Sequence, residues 1–341
     1  MFLTVIDIIS ALFLSAILSY LLTPAAGLFA NKIGLLDKPK STKAHAHPTP
    51  LLGGLAIFTA YFLAVIFVAG MDKKVAGILT GGIILFTIGI IDDRFGIMPK
   101  LKLFGQIVAA LIVFRLGIRV EFIENYYLSM LFSCFWIIGI TNAINLLDNL
   151  NGLSAGITMI AAFFFGVLAW LRGDLMVATL AFALCGSTFG FLRHNFPKAH
   201  IFMGDAGSLF IGYLLSVIAI LGNWSAPTKL TSLTIPFFIL GYPIFDTTLV
   251  IISRLSQGRS IFQGGKDHSS HRLALLGLKK RRAVLLIFFI NFCLGLSGFV
   301  LSRVKTPLAA VLIALVAFFC MVALGIRLGM VKVGSAGRRK G

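Results

Sequence analysis

Four amides and one carboxylate crowd the eleven residues NAINLLDNLNG, from Asn142 to Gly152. On a helix turning by about 100° per residue, Asn142, Asn145, Asp148 and Asn149 share an arc of about 120°. Polar groups at membrane depth are costly unless they meet partners or water. A face like this therefore marks a ligand or ion site, with interhelical hydrogen bonding as the alternative. Asn142, Asn145 and Asn151 are accordingly candidate substrate contacts.

The chain has only twelve Asp and Glu. Seven of them, Asp37, Asp92, Asp93, Asp148, Asp205, Asp246 and Asp267, fall on or near one side of the topology derived below, mostly beside glycines or amides. That pattern suggests a cation-assisted site. Adjacent carboxylates on a helix point in different directions, so one of Asp92 and Asp93 is expected to act on a proton while the other holds a metal or a positive partner. Asp205 lies between Gly204 and Ala206-Gly207, a setting for a helix cap that is equally open to a metal ion. Asp148 is the second expected metal ligand, and hard carboxylate oxygens suit Mg²⁺ better than Zn²⁺. Asp246, inside an apolar run, is either functional or paired with a polar neighbour.

Cations stand in two segments. In LLDKPKSTKAHAHPTPLLGG, residues 35 to 54, Lys43, His45 and His47 are candidate phosphate contacts. In GGKDHSSHRLALLGLKKRR, residues 264 to 282, the compact group Lys266, His268, His271 and Arg272 suits a pyrophosphate. Between them FLRHNFPKAHIFMGDAG, residues 191 to 207, contributes Asn195 and Phe202, an amide and an aromatic face able to recognise and stack on a nucleobase.

The elements that must position these groups are membrane helices. Hydrophobic residues make up 58% of the 341 and charged residues 12%, a composition that points to a polytopic membrane protein. Apolar runs of spanning length lie at about 3 to 22, 51 to 70, 75 to 91, 101 to 117, 126 to 147, 152 to 171, 175 to 193, 206 to 222, 231 to 253, 283 to 302 and 307 to 327. The expectation is an all-α fold of about eleven transmembrane helices, with ten as the other count, in a single transferase domain over 1–341. The first run has no basic segment before it and reads as a retained helix. The loops 31 to 50, 92 to 102, 148 to 151, 193 to 205 and 254 to 282, with the C-terminal tail, hold 22 of the 30 Lys and Arg. That side is expected to be cytoplasmic, giving N-out/C-in and an active site on cytoplasmic loops. The net charge of +18 then reflects topology and anionic lipids, and no nucleic acid is expected as a partner. Cys134, Cys185, Cys293 and Cys320 all sit in apolar runs and imply no disulfide framework.

Taken together, IIDDR at 90 to 94, NAINLLDNLNGL at 142 to 153, FLRHNFPKAHIFMGDAGSLFIGY at 191 to 213 and DHSSHRL at 267 to 273 resemble the polyprenyl-phosphate N-acetylhexosamine-1-phosphate transferases. Order and spacing agree over nearly the whole chain. It is more similar to the undecaprenyl-phosphate GlcNAc-1-phosphate transferases of O-antigen and teichoic-acid pathways than to the phospho-MurNAc-pentapeptide translocase, which usually carries three consecutive histidines. The resemblance implies transfer of a sugar 1-phosphate from a UDP-sugar to undecaprenyl or another polyprenyl phosphate, releasing UMP, in the inner (plasma) membrane. It implies Mg²⁺, with Mn²⁺ as a substitute; the oligomeric state is not legible in the sequence, and a homodimer is left open. Residue by residue it makes Asp205 the Mg²⁺-binding aspartate, Asp92 the base on the lipid phosphate, and Asn195 and Phe202 the uracil contacts. Asp148 and Asn151 match a two-carboxylate stretch. The chain departs at Asn149 and Asn151, where Gly and Asp are more frequent, and at Ser269-Ser270-His271, which interrupts the usual histidine cluster. Either His268 or His271 then meets the phosphates.

Direct attack by the lipid phosphate is the expected route, with a covalent aspartyl intermediate as the other. A transporter with ion-binding intramembrane Asp and Asn is the rival of another class. It predicts polar groups near the bilayer midplane, whereas here most lie at helix ends. The CDP-alcohol phosphotransferases are a rival enzyme class, but their glycine-spaced Asp array is not in this sequence.

Overall fold

A computed structural model of the chain describes residues 3–37, 48–222, 224, 229–261 and 265–331, with 229–233 as backbone alone. The helices gather into two compact units, Met1–Asn223 and Trp224–Gly341, where the sequence suggests one domain.

The first unit holds α1 (Val5–Ile33), α2 (Gly53–Ala69), α3 (Lys73–Phe95), α4 (Pro99–Arg115), α5 (Tyr126–Leu146), α6 (Leu153–Leu171), α7 (Leu175–Asn195) and α8 (Gly204–Leu221). α8 is the axis of this unit: from Ala206 to Ala219 every residue is buried, against α2, α3, α5, α6 and α7. The close pairing of α1 with α7 has a local cause. Gly186 and Gly190, one helical turn apart on α7, bring its backbone against Leu12 and Ala16 of α1, where a Cβ would collide with their carbonyl oxygens.

A two-residue antiparallel ladder, β1 (Leu36–Asp37) with β2 (Thr49–Pro50), follows α1 and precedes α2. From there the main chain is laced to the segment before α8. Phe202 N–H donates to the Pro50 carbonyl at 2.8 Å, and the N–H groups of Gly53 and Gly54 donate to the carbonyls of Phe202 and Met203 at 2.9 Å each. The Gly53 and Gly54 N–H groups are orphan donors at the start of α2, which a helix must satisfy somewhere.

The second unit holds α9 (Lys229–Ile239), α10 (Gly241–Leu255), α11 (Ser269–Leu275), α12 (Lys280–Leu301) and α13 (Pro307–Gly329). The run at 231 to 253, read from sequence as one span, is broken at Leu240, which leaves helical geometry at φ −94° and ψ 14°. Pro243 explains the break, because it has no N–H for the carbonyl four residues before it, that of Ile239.

All eleven apolar runs become helix, and the fold is an all-α polytopic membrane protein. Among the described residues, eight helices are long and apolar enough to cross a membrane. The count falls below eleven because α2 and α4 have 17 residues each and the ninth run is divided. Large apolar side chains cover the outer surface, among them Phe13, Ile17 and Leu21 on α1 and Leu308, Phe318 and Phe319 on α13. Such a surface suits lipid rather than water.

Candidate active site

The end of α3 and the starts of α4 and α8 converge. Asp92, in the last turn of α3, takes the Ile97 N–H on Oδ1 at 2.9 Å and lies 2.5 Å from Lys102 Nζ through Oδ2. Lys102, in the first turn of α4, lies equally close to Asp205 Oδ2, also at 2.5 Å. Asp205 Oδ1 accepts from Asn145 Nδ2 at 3.2 Å, and the same amide reaches Ser208 Oγ at 2.8 Å. The three charged side chains are between 14% and 30% exposed, so the cluster is open to a ligand while protein covers most of it.

Asp93 does a different job from its neighbour. Its carboxylate accepts the backbone N–H of Asp205 at 2.9 Å and of Ala206 at 3.1 Å, capping α8 from another helix. The approach requires glycine at 204, whose φ is 72° and whose absent Cβ would strike the Asp93 carboxylate. Of the two roles expected for this acid pair, Asp92 faces the positive partner and Asp93 is committed to the backbone.

The amide-rich stretch is divided by the structure. α5 ends at Leu146, so Asp148 and Asn149 lie in the following turn and do not continue the helical face of Asn142 and Asn145. Asn142 exchanges two hydrogen bonds with Gln106 of α4, at 3.1 and 2.7 Å, and donates to the Ile138 carbonyl. It is interhelical pairing rather than the substrate contact expected of it, because its amide is already met on both atoms. Asn149 closes the end of α5 through Leu146 O at 2.9 Å. Asp148 is half-buried; burial, with the negative charges of Asp205 and Asp93, pushes its carboxyl up to about 8. Asn151 is half-buried in the same turn.

Asn195, expected at the nucleobase, is 4% exposed. Its Oδ1 accepts from Gly152 N–H at 2.6 Å and its Nδ2 donates to Ile201 O at 2.7 Å. It therefore ties the Asp148 turn to the segment carrying Phe202, and what it offers a base it offers through those two loops. Phe202 is half-buried in that segment. Lys43, His45 and His47 lie outside the described residues.

The histidine segment belongs to the second unit. His268 Nδ1 meets Asp246 Oδ2 at 2.8 Å, and Ser269 N–H donates to Asp246 Oδ1 at 2.7 Å. Ser269 Oγ also bonds Asp246 Oδ1 and lies 2.6 Å from Tyr242 OH. His271 is half-buried; that burial, together with the nearby His268 and Lys266, pushes its imidazole down to about 4. Asp267 is held below the usual carboxylate range despite its burial, because Arg254 grips it at 2.8 and 3.0 Å. Arg272 departs from its expected phosphate role. It is 1% exposed, and its guanidinium is directed to the carbonyls of Asp267, Leu328 and Val331 and to Ser253 Oγ, at 2.8, 2.9, 3.2 and 2.6 Å. Its charge closes the C-terminal end of α13.

Sequence reasoning missed Lys102, Gln106, Ser208, Tyr242 and Ser269. One signal was present for the first two: Lys102 and Gln106 stand four apart in an apolar run, hence on one face of α4.

Among the described residues no group of three or more His, Cys, Asp or Glu is arranged to hold a metal ion. Asp205, which already faces a cation, and Asp148, close enough for the charge of Asp205 to raise its carboxyl, nevertheless fit Mg²⁺, which takes one or two protein carboxylates and completes its shell with water and substrate phosphate.

A profile for glycosyl transferase family 4 matches residues 75–223, the part of the first unit that contains Asp92, Lys102, Asp148 and Asp205. Over 328 residues, covering 93% of this chain and 91% of the relative, the chain is 36% identical to the probable undecaprenyl-phosphate N-acetylglucosaminyl 1-phosphate transferase of Bacillus subtilis. It is 32% identical to the decaprenyl-phosphate N-acetylglucosaminephosphotransferase of Mycobacterium leprae, over 80% of this chain and 78% of that one. To the phospho-N-acetylmuramoyl-pentapeptide-transferase of Moorella thermoacetica it is 30% identical, over 88% of this chain and all of the relative.

Proposed function

The chain belongs to glycosyl transferase family 4, and from that premise we propose that it transfers N-acetylglucosamine 1-phosphate from UDP-N-acetylglucosamine to undecaprenyl phosphate. A lipid phosphate oxygen forms a bond to the phosphorus that carries the sugar, the bond from that phosphorus to the UMP oxygen breaks, and UMP leaves. The observation that carries this reading is the convergence of Asp92 and Asp205 on Lys102.

Two anions must meet in this reaction, so charge compensation supplies most of the catalysis. Lys102 is the cation the fold itself provides. Asp92, beside it, keeps the lipid phosphate deprotonated and returns to its pairing with Lys102 when the proton has gone to solvent. Asn145 fixes Asp205, and Asp93 fixes the helix start that carries it. Asp205 and Asp148 are the residues that would hold Mg²⁺, whose chemistry when bound is to polarise the pyrophosphate as a Lewis acid. The Lys and Arg distribution supports a cytoplasmic-facing site in the plasma membrane with N-out/C-in topology. The roles of Phe202 in stacking on uracil and of His268 in meeting phosphate rest on side-chain chemistry.

The test is the released nucleotide. Purified protein supplied with undecaprenyl phosphate and a panel of UDP-sugars should release UMP with UDP-N-acetylglucosamine. Release of CMP from a CDP-linked donor, or no nucleotide at all, would remove the reading. The Moorella relative supports one second reading, transfer of phospho-MurNAc-pentapeptide, and UDP-MurNAc-pentapeptide in the same panel separates the two.

A further inference from the structure

Asp246 is an acid with no exposure, on a helix of a membrane protein, and it is not isolated. Three donors converge on its two oxygens: His268 Nδ1, Ser269 N–H and Ser269 Oγ. Tyr242 OH stands behind them at 2.6 Å from Ser269 Oγ, so a chain of hydrogen bonds runs from Tyr242 through Ser269 to Asp246 and on to His268. Tyr242 is 1% exposed, Ser269 0% and His268 5%. A buried chain of hydrogen bonds of this kind rigidifies its members.

A carboxylate only accepts, so the nitrogen facing it carries the hydrogen. For His268 that nitrogen is Nδ1. Among the described residues Nε2 has no hydrogen-bond partner. We propose that Asp246 is a positioning residue of the transfer reaction, holding the His268 imidazole with Nδ1–H inward so that Nε2, when it too carries a hydrogen, donates to a phosphoryl oxygen of the substrates. The same segment offers a second imidazole, but His271 is bonded only weakly to Ser270 Oγ, at 3.4 Å, and has no acid behind it. Its preference for the neutral form agrees with giving the phosphate role to His268. The choice of a phosphoryl partner rests on the reaction proposed above, whereas the fixed orientation of the ring does not.

Two measurements on the full chain in lipid nanodiscs test this. In ¹⁵N-histidine-labelled protein, the imidazole signals lost in His268→Gln should show a protonated Nδ1; an Nε2–H tautomer in the wild type overturns the proposal. In turnover with UDP-N-acetylglucosamine and undecaprenyl phosphate, Asp246→Asn should lower kcat by about 10- to 100-fold, the range seen when a residue that orients a working histidine is removed, with KM changed less than about 2-fold. Asp246→Glu should recover part of the loss, and Asp246→Asn should add nothing to His268→Gln. Full kcat in Asp246→Asn, or losses that multiply in the double variant, overturns it. If Asp246→Asn fails to fold, Ser269→Ala, which leaves the acid and the imidazole in place, should keep the Nδ1–H signal, and losing it there counts against the proposal. A wild-type chain that releases no UMP overturns the reaction instead, a result on which the tautomer spectrum does not depend.

Discussion

The carboxylate of Asp93 accepts the backbone N–H of Asp205 at 2.9 Å, so the acid at the end of one helix sets the first turn of another. Removing this cap should lower stability in the way an N-cap deletion does. Asp93→Ala is expected to cost about 1 kcal/mol and to reduce turnover by displacing Asp205. Thermal unfolding in detergent measures the first effect, and an unchanged midpoint would show that α8 needs no such support.

The neighbouring acid should behave differently. If Asp92 deprotonates the lipid phosphate, the activity penalty of Asp92→Asn shrinks as pH rises above the second pKa of a phosphate monoester, about 6. A penalty constant from pH 6 to 9 would argue for a purely structural pairing with Lys102.

Asp205→Asn should lose about 10²-fold or more in turnover, since a Lewis acid on the pyrophosphate is worth several kcal/mol. Lys102→Met leaves Asp92 and Asp205 facing each other with no ammonium between them. The variant should be less stable than wild type in EDTA and recover on addition of Mg²⁺. These groups are partly exposed, so solvent screening keeps the stability change to about 1 kcal/mol or less. Equal responses of wild type and Lys102→Met to Mg²⁺ would dismiss the idea that the two cations share a place.

Asp148 gives a pH dependence with a definite sign. Its carboxyl is raised from 3.8 to about 8 in the folded protein, so the unfolded chain releases this proton first. Its contribution to stability is complete below about pH 4 and is lost as pH rises toward 8. Without divalent cations, the stability of Asp148→Asn relative to wild type should therefore grow from pH 5 to 8 and then level. Parallel curves for the two proteins would contradict it.

The helices were legible because a membrane leaves the backbone no choice: an apolar run of spanning length must satisfy its own N–H and C=O groups. The acids at helix ends were legible too, since carboxylates there stand out against a basic background. Partner identity was not. Lys102 reads as one of several solvated charges after Pro99, and its partners are 10 residues away at Asp92 and 103 away at Asp205. Arg272 reads as a phosphate ligand until the carbonyls of Leu328, in α13, and Val331, just past its end, arrive. The arc through Asn142 and Asp148 was a sound projection of a helix that stops at Leu146. Pro243 was a visible break signal that the length of the surrounding apolar run outweighed.

Asn195 sets a test of nucleotide recognition. Asn195→Ala leaves the Gly152 amide and the Ile201 carbonyl unmet, each worth about 1 to 3 kcal/mol when buried, so both loops should loosen and the unfolding midpoint should drop. UMP binding should weaken with it and more than CMP binding, while Phe202→Ala should weaken both by a similar 1 to 3 kcal/mol, roughly the worth of one stacked base. Calorimetry with UMP and CMP on both variants checks this. An intact uridine preference in Asn195→Ala would move base selectivity to the turn of Asp148 to Asn151.

The main chain of Phe202 and Met203 is tied to that of Pro50, Gly53 and Gly54 by three peptide hydrogen bonds. Such bonds are indifferent to most side chains, so the scaffold beneath Asp205 can be inherited intact while side chains along these strips change. A lineage could change the sugar or the base it accepts by substitutions in these strips without rebuilding the cluster next to them. Gly53, Gly54 and Gly204 are the exceptions, because a Cβ at any of them collides with main chain, a packed ring or the Asp93 carboxylate. Evolvability here has a grammar, with three fixed letters and variable text around them.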